Sequence, residues 1–281
     1  MTTRRYRITH KTVLGYAGNA IASHNELRMA PVSESGQTTL ESRIRVWPMT
    51  WSQVYRDSWG THVMTTEAIT DHASLTVEAV STVELHREEP SSPGDVSWER
   101  LASADLKDFY YEWLSSTKQT VIGEDLREAV AQLRHGTPAQ TTRAVVDFIR
   151  SQLTYEQGVT QVQSSAQDAW SARTGVCQDF AHICIGSLRS LGIPARYVSG
   201  YLVPREDLGI GESSEGESHA WLEAWLGEWV AFDPTNDRPI LLDHIIVGRG
   251  RDYSDVPPLK GVYSGPKVAR HEVGVSFSRL G

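Results

Sequence analysis

Cysteine is scarce in this chain: Cys177 and Cys184 are the only two in 281 residues. Seven positions apart on one presumed helix, they are too close to bridge across regular helical backbone and too few for a disulfide framework. A reducing, cytoplasmic compartment is therefore expected. Long apolar runs are missing too, and no stretch approaches the roughly 20 apolar residues of a membrane span. The early run TVLGYAGNAIAS is broken by Gly15, Gly18 and Asn19 and preceded by Arg7, His10 and Lys11, which speaks against a cleaved leader.

Positive charge is in deficit, 27 Lys and Arg against 35 Asp and Glu, for a net charge of -8. Nucleic acid and anionic membrane, which need a basic surface to neutralise phosphates, are not expected as partners. The ten histidines form no HExxH and the cysteines no Cys-x-x-Cys, so a zinc site is not expected. An acidic calcium-loop pattern is likewise missing. GESHA, residues 216–220, lacks the last glycine of a Gly-x-Ser-x-Gly elbow and follows no apolar strand, which argues against a serine hydrolase. Neither a metal nor a cofactor is expected.

What is present divides in two. From Tyr6 to His86, stretches such as SRIRVWPM, HVMTTEAI and SLTVEAVSTVEL alternate between turn-like SESGQ and DSWGTH, which predicts an antiparallel β domain over residues 1–88. A Pro, Ser and Gly cluster without period marks a linker at 89–97. A second domain over 98–281 opens with helical spacing (98–155), in which Thr137 and Pro138 suit a helix start. It continues with a core (156–250) and ends in a closing β segment (251–281).

Within the core, GVCQDFAHICIGSLRSLGIP places Val176, Phe180, Ile183, Leu188 and Leu191 at helical spacing, with Gly192 and Pro194 as the stop. Cys177 then lies in the first turn. There the helix dipole and the outward-aimed N–H groups favour thiolate over thiol and could hold an oxyanion. The plainer alternative is a small hydrophobe packing a helix end, which is the expectation for Cys184, two turns further in.

The hairpin SHAWLEAWLGEWVAFDPT weighs on that choice. Alternation puts His219, Trp221, Glu223 and Trp225 on one face. With Leu226 to Glu228 as the turn, Trp221 opposes Asp233 and His219 is its diagonal neighbour, at a backbone gap of roughly 7 to 8 Å that an imidazole and a carboxylate can span. A carboxylate on one ring nitrogen leaves the other to take a thiol proton, the generalised triad arrangement. A register slip of one residue would turn the two side chains to opposite faces.

GVCQDFAHICIGSLRSLGIPARYVSGYL followed by SHAWLEAWLGEWVAFDPTND resembles the transglutaminase-like superfamily, in particular a bacterial branch named after cysteine proteases and carrying an N-terminal β domain. ELRMAP and VGRGRDYSDVPPLKGVYSGP extend the resemblance over nearly the whole chain. It implies an α+β fold with a papain-like core, the nucleophile helix packed on an antiparallel sheet. It implies Cys177 as nucleophile, His219 as base and acid, and Asp233 as the orienting residue. The implied chemistry is acyl transfer on a peptide or protein amide through a thioester, resolved by water or by an amine acceptor; hydrolysis is preferred, since water is always present and no residue pattern marks an amine pocket. The other function class is a non-catalytic interaction module that keeps the fold.

Further site candidates are Trp170, for its indole N–H, although burial in the core is the favoured reading for it, and Gln178, for the backbone N–H beside the nucleophile. Asp252 and Tyr253, in GRDY, are candidates for the site wall, weighed against a packing role. Asp179 and His182 lie near Cys177 on its helix, with a structural role weighed against a site role for each. The acidic, Gly-rich segment 203–218 is read as a surface loop or as a gate whose Glu206, Asp207, Glu212, Glu215 and Glu217 favour cationic substrates.

Overall fold

The helix Cys177–Ser190 is the axis of the C-terminal half, and its sequence explains its place. Phe180, Ala181, Ile183, Cys184, Ile185 and Leu188 are buried almost all the way round it, as expected of a helix covered on several sides. Gly192, at φ +82°, ends it in the left-handed region that glycine enters without strain. In this computed structural model, residues 3–87, 96–156, 164–204, 207–236 and 238–281 are described. One face of the helix lies on an antiparallel sheet of order 229–232, 218–225, 195–202, 244–250. Around it pack Pro138–Gln152, Ala166–Ala172 and Glu124–Ala131. Thr137 and Pro138 do start a helix: Thr137 Oγ1 accepts from the Gln140 N–H, and the Gln140 side chain accepts from the Thr137 N–H.

Arg189 closes the far end of this helix. Its guanidinium is buried yet donates to the carbonyls of Trp113, Ser115, Ala195 and Arg251 and to Thr120 Oγ1. That set of acceptors is what makes a buried charge tolerable. No helix among the described residues is long and apolar enough to cross a membrane.

The N-terminal region forms two antiparallel sheets, and here the structure departs from the expected division. The closing segment 251–281, expected to belong to the second domain, does not pair with the core sheet. Val268–Arg279 pairs with Arg4–Ala20, and Leu259–Ser264 pairs with Ala22–Leu27. The physical reason is burial: Val275 and Phe277 complete an apolar cluster with Tyr6, Ile8, Val83 and Leu85. Residues 213–216 of the acidic segment are likewise no free loop but an edge strand on the closing strand, with Leu208 buried as an anchor. Of the expected linker only Val96 and Ser97 are among the described residues, and Glu206 lies outside them.

Polar side chains bind the N-terminal sheets to the core sheet. The Gln37 amide accepts from the Ile246 N–H and donates to the carbonyls of Val32 and Ile246, each at 2.8 Å. Arg249 joins Glu34 of the N-terminal region to Glu223 of the core, and Arg196 closes on the same Glu223. Glu223 is thus buried between two guanidiniums that together hold it ionised.

Gly200, opposite His219 in the sheet, is required by a close approach. A Cβ there would meet the Ile245 carbonyl oxygen at 2.1 Å and the Trp221 ring at 2.6 Å. Gly200→Ala is expected to destabilise the fold by about 1–3 kcal/mol through overpacking, read as a lower midpoint in thermal unfolding. An unchanged midpoint would contradict this packing.

Candidate active site

Cys177 is the first residue of its helix and partly exposed, whereas Cys184 is sealed in the core, where burial pushes its thiol up. Both are free thiols. The start of the helix is fixed by Asp179, whose Oδ2 accepts from the Val176 N–H at 2.8 Å. Gly175 leaves room for that carboxylate, since a Cβ would come within 2.7 Å of the Asp179 side chain. Asp179 thus has a structural capping role. Gln178 is half-buried in the first turn, whose amides aim out of the helix start.

The hairpin has the register that alternation predicts. Leu222 pairs with Phe232, Glu223 with Ala231 and Trp225 with Trp229, so one further step sets Trp221 opposite Asp233. From the diagonal position, His219 brings Nε2 to 2.8 Å from Asp233 Oδ2. Nδ1 is not the nitrogen that Asp233 engages, and Cys177 is among the groups that interact with the ring. Trp221 stacks on the imidazole at 5.9 Å between centroids, with the planes inclined by 27°, and so limits its rotation.

Burial pulls the His219 imidazole down, but its hydrogen bonds and charge interactions with Asp233 and Cys177 outweigh this, and the pKa is pushed up to about 9. Asp233 is opposed by burial and held well below the usual carboxylate range by donors, His219 first and His244 next. Its Oδ1 accepts from the N–H groups of Thr235 and Asn236 at 3.0 and 3.2 Å, and its Oδ2 accepts from Asn236 Nδ2 at 2.9 Å.

The thiol and the imidazole open onto a cleft of about 800 Å³ whose walls include Tyr155, Glu217, Asn236 and Arg238. Three potential metal ligands, His219, Asp233 and His244, place donor atoms within 4.8 Å of one another. These atoms already face each other as hydrogen-bond partners, Asp233 Oδ2 lying between the two Nε2 atoms. A cation there would have to displace the proton that His219 shares with Asp233.

The remaining candidates are distributed differently. Trp170 is buried and its indole N–H donates to Asp125 Oδ2 at 2.7 Å, so that donor is spent on Asp125 and, of the two readings, the structure favours packing over an oxyanion role. Asp252 is buried and caps the turn 253–255 through the Ser254 N–H. Tyr253 gives its N–H to His182 Nε2 at 3.1 Å and lines a separate cavity of about 330 Å³ beside the closing strands, not the Cys177 cleft. His182 is fully buried, which lowers its pKa to about 4. These residues sit against the middle of the nucleophile helix. Sequence reasoning missed His244 and Asn236. Asn236, three residues after Asp233 in a turn, was open to the Asx-turn rule; for His244 the adjacent Asp243 was the one local signal.

Comparison with known proteins agrees with this architecture. Residues 127–234 match the transglutaminase-like superfamily model, and residues 6–84 match the bacterial transglutaminase-like N-terminal region. An uncharacterized protein of Mycobacterium leprae is 42% identical over 277 residues, 98% of this chain and 99% of its own length. One from Mycobacterium tuberculosis is 32% identical over 278 residues, 92% and 88% of the two chains. Among solved structures, "a Putative Cysteine Protease from Cytophaga hutchinsonii" superposes with a TM-score of 0.79 at 21% identity, covering 100% of this chain and 92% of that one. At that identity the likeness speaks for the fold. The α+β architecture, the two matched regions and these full-length relatives agree: the chain belongs to the transglutaminase-like superfamily.

Proposed function

We propose that the protein is a cysteine-dependent acyl-transfer enzyme acting on peptide or protein amides, with Cys177, His219 and Asp233 as its triad. The observation that carries the reading is His219, which a buried carboxylate holds by one nitrogen and whose ring also interacts with a partly exposed thiol at a helix start.

In this reading the Cys177 thiol gives its proton to His219 Nδ1, and the thiolate attacks the amide carbon. Negative charge gathers on the carbonyl oxygen, where first-turn amides, including that of Gln178, can receive it. As the C–N bond breaks, the imidazolium returns its proton to the leaving amine or ammonia, and a thioester remains. Water, deprotonated by His219, then attacks the thioester and restores the thiol; an amine would give transfer by the same route. Water is the favoured acceptor, since the cleft is open to solvent. Asp233 keeps its charge throughout and stabilises the imidazolium. Glu217, which lines the cleft, would favour a cationic substrate group on its side, opposed by Arg238 in the same lining.

Alkylation of Cys177 by iodoacetamide, followed by mass spectrometry, tests the pair. Reaction is expected at about pH 6, where a free thiol with a pKa of about 8.5 is almost wholly protonated, and His219→Ala is expected to abolish it. A wild-type profile like that of a free thiol, or one indifferent to His219→Ala, overturns the reading.

The thioester has its own test. With a glutamine-containing peptide and hydroxylamine, ammonia release and hydroxamate are expected, and Cys177→Ser should lower the rate by at least about 10³-fold. The rate should fall as pH rises through about 9, where His219 loses the proton it gives to the leaving amine. Hydroxamate formation that survives Cys177→Ser contradicts the mechanism.

A further inference from the structure

His244 opens the strand at the opposite edge of the core sheet from the Asp233 strand. It is fully buried, yet each of its ring nitrogens faces a carboxylate: Nδ1 lies 2.7 Å from Asp243 Oδ1 and Nε2 lies 3.1 Å from Asp233 Oδ2. Ionised carboxylates only accept hydrogen bonds, so the contact to Asp233 Oδ2 is made by a ring N–H. The ring thus spaces two acids apart. It reaches the same Asp233 oxygen that His219 uses.

The ring is also held from behind. Arg87 of the N-terminal region donates from Nη1 to the His244 carbonyl at 2.5 Å and to the Leu241 carbonyl at 3.1 Å. Its Nη2 donates to Gln37 Oε1 at 2.8 Å, and Gln37 in turn binds Ile246. Arg238 Nη1 stands 3.3 Å from Asp243 Oδ2. The edge of the Trp221 ring lies across His244, with centroids 5.3 Å apart. The charged and titratable groups facing His244 are therefore Asp233, Asp243, His219, Arg238 through Asp243, and Arg87 at the backbone.

We propose that His244, clamped between Asp243 and Asp233, is a positioning residue that fixes the carboxylate of Asp233 toward His219. It touches neither thiol nor substrate. Donation to Oδ2 from a ring that cannot turn selects one carboxylate rotamer, and Asp243 sets the plane of that ring. The inference rests on the triad reading above.

The test is the pH profile of Cys177 alkylation by iodoacetamide in wild type, His244→Gln and Asp243→Asn, without and with added zinc. His244→Gln is expected to slow alkylation at about pH 6 by about 10–100-fold, the scale for losing a partner that orients a functional side chain. The variant should converge with wild type near about pH 9.5, where the thiolate forms without help. Asp243→Asn should give a smaller loss in the same direction. Alkylation of the buried Cys184 monitors folding, and if His244→Gln exposes it, Asp243→Asn carries the test.

A His244→Gln profile that superposes on a low-pH wild-type profile overturns the inference alone. Faster low-pH alkylation in His244→Gln also overturns it, because His244 would then act by its charge against the imidazolium. Protection by zinc in wild type but not in His244→Gln makes the cluster a cation site and overturns it too. A wild-type profile like that of a free thiol overturns the proposed function, and this inference with it.

Discussion

The buried carboxylate of Asp233 is the group on which the arrangement depends. It accepts from His219, His244, the backbone of Thr235 and both the backbone and the side chain of Asn236. A carboxylate taken out of water survives as an anion only when such donors replace its hydration. Each donor comes from a different feature of the fold: the strand start at His219, the turn after Asp233, and the far-edge strand at His244. The local backbone is shaped to supply donors before any substrate arrives, which is the meaning of preorganisation here. The His219 ring, held by Asp233 and stacked on Trp221, inherits its orientation from that anion.

How much of this was legible in the sequence depends on range. The hairpin was readable because a short turn sets its register and alternation assigns its faces, so His219 and Asp233 follow from local rules. The helix start at Cys177 and its end at Gly192 were readable for the same reason. The closing strands were not, because their partners are Arg4–Ala20 and Ala22–Leu27, more than two hundred residues away, and nothing local names a partner strand. For Trp170 both packing and an oxyanion role stayed open, because residue type gives a donor but not its direction, and the structure spends that donor on Asp125. His244 was illegible because it reaches Asp233 only once strand order has put the two strands at opposite edges of one sheet with their ends converging.

The long-range pairing also changes what the N-terminal region is to the site. A β domain separated by a linker would be expected to act on substrates from outside. Instead its sheets take in the closing strands and the edge strand 213–216 that leads into His219. Its side chains Gln37 and Arg87 hold the backbone from Leu241 to Ile246. The site is therefore built between two regions with different duties. Its open side is the cleft around Cys177. Its closed side is a buried polar chain running from Asp233 through His244 and Asp243 to Arg238, which needs rigid backbone on every element. Rigidity at that closed side is what the N-terminal sheets supply, by hydrogen bonds to main-chain atoms that a change of nearby side chains would leave in place.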